Sequence, residues 1–400
     1  MQCDAALKAI AGNAAIFATD KLELLEPSKL KTLKLPGKLA YFYGGAIYHR
    51  VAVVCPRTKG LSHEQQVLAG LLWANRVSNG QKTVLYLVGK SFSDQFIHLV
   101  QLFGPQIEVR LVYFSSKLAP PLVVASREGK VSLPRFSVPP PRDPSYWERF
   151  FNPVEKAWFK WAVEYFRNYR AEKLEICVLD NWVSIRFRGL EIVRIGKKES
   201  RLRIALTTRY PREIFGTVGN REEKEGWFNA SGQLNSEFVE AFEQRLGILK
   251  ADKDLFARVC PEKQRLEYAI RSALPQWGLD GPVYFQLDVS RRGETSLVID
   301  VAGRTLEGNL VVVTAHTQKD FVGFLHALEQ LIWAKTQLEV IRKTYFPNEV
   351  LTCPQTWLVG PRSRVAPELD ILRCLLHPRE QVKMIVINED WAERGVEEVK

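Results

Sequence analysis

The 400-residue chain has only two methionines and six cysteines, and no two of those cysteines form a CxxC pair. Scattered at Cys3, Cys55, Cys177, Cys260, Cys353 and Cys374, they offer neither a zinc knuckle nor a secreted disulfide framework, and read as buried free thiols. Also missing is an apolar run of the roughly 18 residues that a membrane-spanning helix needs. The opening MQCDAALKAIAGNAAIFATDK has an early aspartate and lacks the positive-then-apolar order of a secretion signal, so the expectation is a cytoplasmic chain. No GxxxxGK loop, GxSxG elbow or HExxH helix occurs, which leaves kinase, serine-hydrolase and metalloprotease readings without a motif.

What is present is a globular composition, 46% hydrophobic and 25% charged, enough for two or three domains with real cores. The formal net charge of +11 permits attraction to polyanions, of which nucleic acid is the commonest for a soluble protein. The scarcity of methionine fits a thermostable protein equally well.

From Lys38 to Phe114 the hydrophobic period switches between two and 3.6, predicting strand, helix (SHEQQVLAGLLWANRV), strand (KTVLYLVG), helix (SDQFIHLVQLF) and strand (IEVRLVYF). The C-terminal part follows the same plan. RVAVVCPRT from Arg50 lies over NLVVVTAHT from Asn309, and QVLAGLLWAN from Gln66 over HALEQLIWAK from His326, which aligns Trp73 with Trp333. An internal duplication is the reading. On that ungapped register Tyr41 matches Asp300, Cys55 matches Thr314 and Arg57 matches His316.

Between the copies, residues 119–153 begin with a proline-dense stretch that reads as a linker or surface strap. Residues 154–258 read as a unit of helix, β-meander and helix. Its first helix carries Trp158, Trp161, Tyr165 and Tyr169 on one face, a core stripe with base stacking as the alternative. In the meander Arg186 and Arg188 alternate along one strand and Arg201 and Arg203 along another, with Arg194, Lys197 and Lys198 near the connecting turn. Alternation puts each pair on one face of a ribbon, a candidate contact for DNA or RNA phosphates.

The remaining residues, 259–400, open with an amphipathic helix (EKQRLEYAIRSAL), continue through a meander that includes the strand ending at Asp300, and reach the second copy of the α/β plan. The expected fold class is α/β (α+β), with two α/β units, 1–118 and 259–400, flanking the meander unit.

The order from Ser296 to Lys335 (strand ending in Asp300, Gly-containing turn, buried strand, long apolar helix) resembles the PD-(D/E)xK, restriction-endonuclease-like superfamily. The resemblance covers residues 262–390, about a third of the chain. It implies that Asp300 matches the family's first metal-binding acid, and that Thr314 and His316 stand where the family has glutamate and lysine. In that family paired acids hold hard divalent cations and the lysine supports the nucleophile. A set of Asp300, Thr314 and His316 lacks a carboxylate and the amine, and is a poor Mg²⁺ site. The reading is therefore a degenerate nuclease-like protein without a cofactor, which binds nucleic acid or serves as a structural partner in DNA processing or defence. Two alternatives stand beside it. One is an active Mg²⁺-dependent nuclease with metal at Asp300 and relocated groups, Glu267 and Lys319 before Glu329 and Lys335; the other is a protein-interaction scaffold.

Overall fold

A computed structural model describes residues 22–24, 38–44, 50–55, 63–78, 83–89, 92, 94–104, 106–114, 122–124, 138–140, 143–179, 182–198, 201–206, 227–229, 236–289, 297–318 and 321–399. Their strands are β1 (Leu22–Leu24), β2 (Lys38–Gly44), β3 (Arg50–Cys55), β4 (Thr83–Gly89), β5 (Ile107–Phe114), β6 (Leu122–Val124), β7 (Glu175–Val178), β8 (Trp182–Phe187), β9 (Leu190–Lys198), β10 (Arg201–Leu206), β11 (Trp227–Asn229), β12 (Leu279–Val289), β13 (Leu297–Thr305), β14 (Asn309–Ala315), β15 (Thr352–Pro361) and β16 (Gln381–Ile387). Their helices are α1 (His63–Ser78), α2 (Asp94–Gln101), α3 (Ser145–Glu148), α4 (Pro153–Arg167), α5 (Ser236–Ala251), α6 (Lys253–Val259), α7 (Glu262–Ala273), α8 (Val322–Thr336), α9 (Leu338–Tyr345), α10 (Pro367–Cys374) and α11 (Trp391–Arg394). The fold is mixed α/β with three sheets. None of the described helices is long and apolar enough to cross a membrane.

The chain forms two compact units whose boundaries differ from the sequence division. Unit 1 is 1–138, 280–387 and 398–400; unit 2 is 139–279 and 388–397. Both α/β repeats thus share one unit, instead of flanking the meander as separate domains. Residues 139–153, expected as the end of a linker, belong with the meander, and so does α7.

In unit 1 the sheet orders are β1-β2-β3-β4-β5-β6 and β12-β13-β14-β15-β16. Within each repeat an antiparallel pair (β2 with β3; β13 with β14) is followed by two parallel steps (β3-β4-β5; β14-β15-β16). The crossover helices bury matching positions. Val67, Leu68, Leu71, Leu72 and Ala74 of α1 correspond to Ala327, Leu328, Leu331, Ile332 and Ala334 of α8, and all are in the core. Phe96 and Leu99 of α2, with Leu102 and Phe103 after it, correspond to Leu369 and Leu372 of α10 followed by Leu375 and Leu376. Trp333 is fully buried; Trp73 keeps the matching place in α1, and its side chain is outside the described set.

The two repeats build one continuous core. Helix α8 packs on α1 and α2 as well as on its own sheet, and α10 packs on α1. This explains why α8 is apolar nearly all round: it is covered on both sides. The contact is reciprocal, because Phe103 bridges its own counterpart Leu376. The Gly104 N–H donates to the Leu375 carbonyl at 3.1 Å, and the His377 N–H donates to the Leu102 carbonyl at 2.8 Å. Residue i meeting j while the counterpart of j meets that of i is the signature of a two-fold interface, here made within one chain.

Strand register corrects one alignment. Lys38 pairs with Cys55, whereas one residue beyond the Val301 and Val313 pair Asp300 falls opposite Thr314. Lys38, not Tyr41, is therefore the counterpart of Asp300. The turn joining β2 to β3 is longer than that joining β13 to β14, which shifts the first strand relative to the ungapped alignment.

Unit 2 is a five-stranded antiparallel sheet in the order β11-β10-β9-β8-β7, packed on α4 and α5 through Phe159, Phe166, Phe238 and Phe242. Asn152 and Glu155 form a reciprocal capping box that starts α4. The carboxylate of Glu155 also accepts the Leu202 N–H at 3.0 Å, tying the helix start to β10. The stripe of α4 is mainly core, with Trp158 buried, Tyr165 and Tyr169 half-buried near Phe166 and Phe242, and Trp161 left 41% exposed.

Candidate functional site

The residues singled out by the nuclease resemblance converge in unit 1 beneath α8. Strand alternation places Asp300 and Thr314 on the helix-facing side of their strands, as it does Ala302, Val312 and Leu358 of the core, and with them Thr356 on β15. All three polar side chains are at most 1% exposed. The Asp300 carboxylate accepts the Ala315 N–H at 3.3 Å through Oδ2, and its Oδ1 lies 3.6 Å from His326 Nε2 on α8. One turn further along α8, Gln330 donates to the Val298 carbonyl at 3.4 Å. Its Oε1, with Thr314 Oγ1 and Thr356 Oγ1, is buried without a hydrogen-bond partner among the described residues.

His316, 1% exposed, follows the end of β14. Its N–H donates to the Val359 carbonyl at 2.7 Å, and its Nε2 lies 3.1 Å from the Arg364 carbonyl, which selects the tautomer protonated at Nε2. The residue fits because Gly323 leaves room for its ring and Gly360 for its backbone. A Cβ at Gly323 would collide with His316 Nδ1, and one at Gly360 would sit 2.6 Å from the His316 carbonyl oxygen.

This donor set does not suit Mg²⁺. One oxygen of the lone carboxylate is engaged by a backbone N–H, the threonine is neutral, and His316 points Nε2 at a carbonyl; a hard cation requires several converging oxygens. The residues present therefore do not fit the metal that the nuclease resemblance implies. Glu267, proposed from sequence as a relocated acid, is buried on α7 in unit 2, 3.7 Å from Lys263, and so belongs to a different unit from Asp300. Lys319 lies outside the described residues. Lys335 is committed to Glu380, with Nζ 2.7 Å from both carboxylate oxygens. Sequence reasoning does not single out His326 and Gln330. Their signal is that they sit four residues apart, one helical turn, on a helix that is mostly apolar.

The arginine ribbon is largely compensated. Arg186 is 7% exposed, because α7 covers that face of the sheet. Its Nε donates to Ser184 Oγ at 3.2 Å, and its ladder partners on β7 and β9 are Glu175 and Glu191. Arg271 of α7 clamps Glu175 with two bonds of 2.7 Å, and α7 comes so close that a Cβ on Gly189 would lie 2.5 Å from the Gln264 carbonyl. Arg186 is thus a buried structural group and not a phosphate contact. Arg194 pairs with Glu191 at 2.5 Å and lies over the Trp182 ring at 4.5 Å. Arg188 reaches Glu172 at 3.7 Å, Arg203 is half-buried, and the side chain of Lys198 is outside the described set. Lys197 and Arg201 remain exposed.

The thiols divide. Cys177 and Cys260 are buried in unit 2, and burial pushes their pKa values up to about 11 and about 12. Cys353 and Cys374, expected to be buried, are exposed.

No protein-family model matches the chain, and no curated protein matches it either.

Proposed function

We propose that this protein is a catalytically degenerate, nuclease-like protein that acts by binding, either to nucleic acid or as a structural partner in DNA processing or defence, in the cytoplasm. The observation that carries the reading is the state of the Asp300 neighbourhood. The topology around it is strand, turn, strand, helix, yet Thr314 and His316 occupy the places of glutamate and lysine, and both are packed into the interior. In that neighbourhood Thr314 Oγ1, Thr356 Oγ1 and Gln330 Oε1 are buried without a hydrogen-bond partner among the described residues, which costs about 1–3 kcal/mol each. An inherited site that has been filled in accounts for such groups more simply than a working metal centre does. The positive net charge favours nucleic acid among possible partners, with Lys197, Arg201 and the turn residue Arg188 exposed on the meander.

The test is cleavage. Purified protein with Mg²⁺ or Mn²⁺ is expected to leave single- and double-stranded DNA and RNA intact. Metal-dependent cutting that disappears in Asp300→Ala would overturn the proposal.

A further inference from the structure

A cavity of about 560 Å³ opens within unit 2, far above the size of a packing defect and in the range of small-molecule sites. One wall is a face of α7. Arg265, Tyr268 and Ser272 recur at helical spacing there, opposite the side that buries Leu266 and Ile270. A second wall comes from Lys253 and Phe256 of α6, and a third from the excursion 388–397. That excursion is a closed loop. Asn388 donates to the Asp390 carboxylate at 2.8 Å and to the Gly395 carbonyl at 3.1 Å, and accepts the Glu397 N–H at 2.9 Å. Trp391, 6% exposed, seats the loop.

Two features bear on what the cavity is built to hold. First, Arg265 carries a cation into the wall. Its guanidinium lies 5.9 Å from the Trp391 ring, and its Nε is buried and donates no hydrogen bond among the described residues. That Nε is out of reach of the cavity, so an anion there would meet the terminal guanidinium nitrogens, which are charge-assisted donors. Second, Arg188 lines the cavity from the β8–β9 turn with φ of 47°, followed by Gly189 with φ of 87°. A two-residue hairpin with both φ values positive strongly prefers Asn-Gly, so an arginine in the first place is a conformational cost with no backbone benefit. Its side chain reaches Glu172 at 3.7 Å and also lines the cavity.

Cations from four separate elements (Arg188, Lys253, Arg265 and Arg394, the last paired with Asp390 at 2.8 Å) therefore meet the aromatic rings of Tyr268, Phe256 and Trp391 in one cavity. Asp254, Glu393 and Glu397 also line it, and supply acceptors for hydroxyl or amine groups. Burial and the nearby Glu175 carboxylate raise the Tyr268 pKa, so its phenol stays a donor at neutral pH. We infer that this cavity binds a nucleoside phosphate, with the base against the aromatic side chains and the phosphate on Arg265 and its neighbouring cations. The inference does not depend on the reading of the Asp300 site, which lies in the other unit.

The test is calorimetric titration of the full chain with ADP, adenosine, inorganic phosphate and a glutamate-rich peptide. ADP is expected to bind saturably at one site, at least tenfold tighter than adenosine or phosphate. Arg265→Ala should weaken ADP at least tenfold while leaving adenosine unchanged, and Arg265→Lys should recover part of the loss. Ser272→Trp, on the exposed side of α7, should block the cavity without lowering the melting temperature. The inference is overturned by any of four outcomes: no saturable ADP binding at millimolar concentration, equal affinity for ADP and adenosine, an Arg265→Ala protein that binds normally, or preferential binding of the acidic peptide.

Discussion

The two α/β repeats share a strand order, pairing senses and a set of buried helix positions, and they differ in what lies under the crossover helix. In the second repeat Asp300, Thr314, Thr356 and Gln330 form a polar inclusion at the sheet-helix interface, with His326 beside it. At the corresponding places the first repeat has Lys38, Cys55, Tyr86, Gly70 and Gln66. The fold therefore follows from the apolar positions alone, since those are what the repeats hold in common. The inclusion is a local addition that the architecture tolerates at a cost. If the repeats are halves of one cooperative core, truncating equivalent leucines should have equivalent effects. Leu99→Ala and Leu372→Ala, each fully buried in the wild type, are expected to cost about 3 kcal/mol apiece and to lower a single shared unfolding transition of unit 1. Calorimetry showing the repeats melting in separate transitions would break the comparison.

The next effect isolates His316, which has no counterpart among the described residues of the first repeat. Exchanging glycine for alanine inside a helix usually stabilises by about 0.5–1 kcal/mol. At Gly323 the sign should reverse, because the new Cβ meets the His316 ring in a packed interior, and a loss of about 2 kcal/mol is expected from overpacking. The double variant Gly323→Ala with His316→Ala should recover most of that loss. Gly360→Ala should not be rescued in this way, since its collision is with the His316 backbone oxygen. Denaturant midpoints of the four proteins decide the matter, and an additive double variant would mean that the glycine serves something other than the ring.

These contrasts also mark how much could be read from the sequence. The repeated plan was legible because Val67, Leu68, Leu71 and Leu72 recur as Ala327, Leu328, Leu331 and Ile332, and helical spacing carries that information locally. What α7 covers was not legible. Leu266 and Ile270 announce a buried face, yet periodicity cannot say which sheet buries it, and chain order alone points to the wrong neighbour. The same blind spot misplaced the arginines: alternation showed Arg186 and Arg188 as ribbon residues, but only the covering helix decides that Arg186 is interior. The excursion 388–397 was invisible for a related reason, since its membership of unit 2 rests on where Trp391 is buried and not on any local pattern. At the Asp300 site the neighbourhood of Asp300 and Thr314 on adjacent strands could be read from element order, while His326 and the two glycines that admit His316 needed the packing to be seen.

The smallest expected effect tests whether the inclusion is a residual burden. Thr356 Oγ1 is buried and has no hydrogen-bond partner among the described residues, and its ladder neighbour is Val312. Folding strips such a hydroxyl of its water without replacing the bond, a penalty of about 1–3 kcal/mol by mutational measures. Valine keeps the branched shape that a strand favours and removes the polar atom. Thr356→Val should therefore stabilise unit 1 by about 1 kcal/mol and raise its melting temperature by a few degrees. Should Thr356→Val instead destabilise the protein, the hydroxyl must be making a favourable interaction in solution. The polar inclusion would then be a maintained feature of the second repeat, and the contrast with the first would mark a retained site and not a filled one.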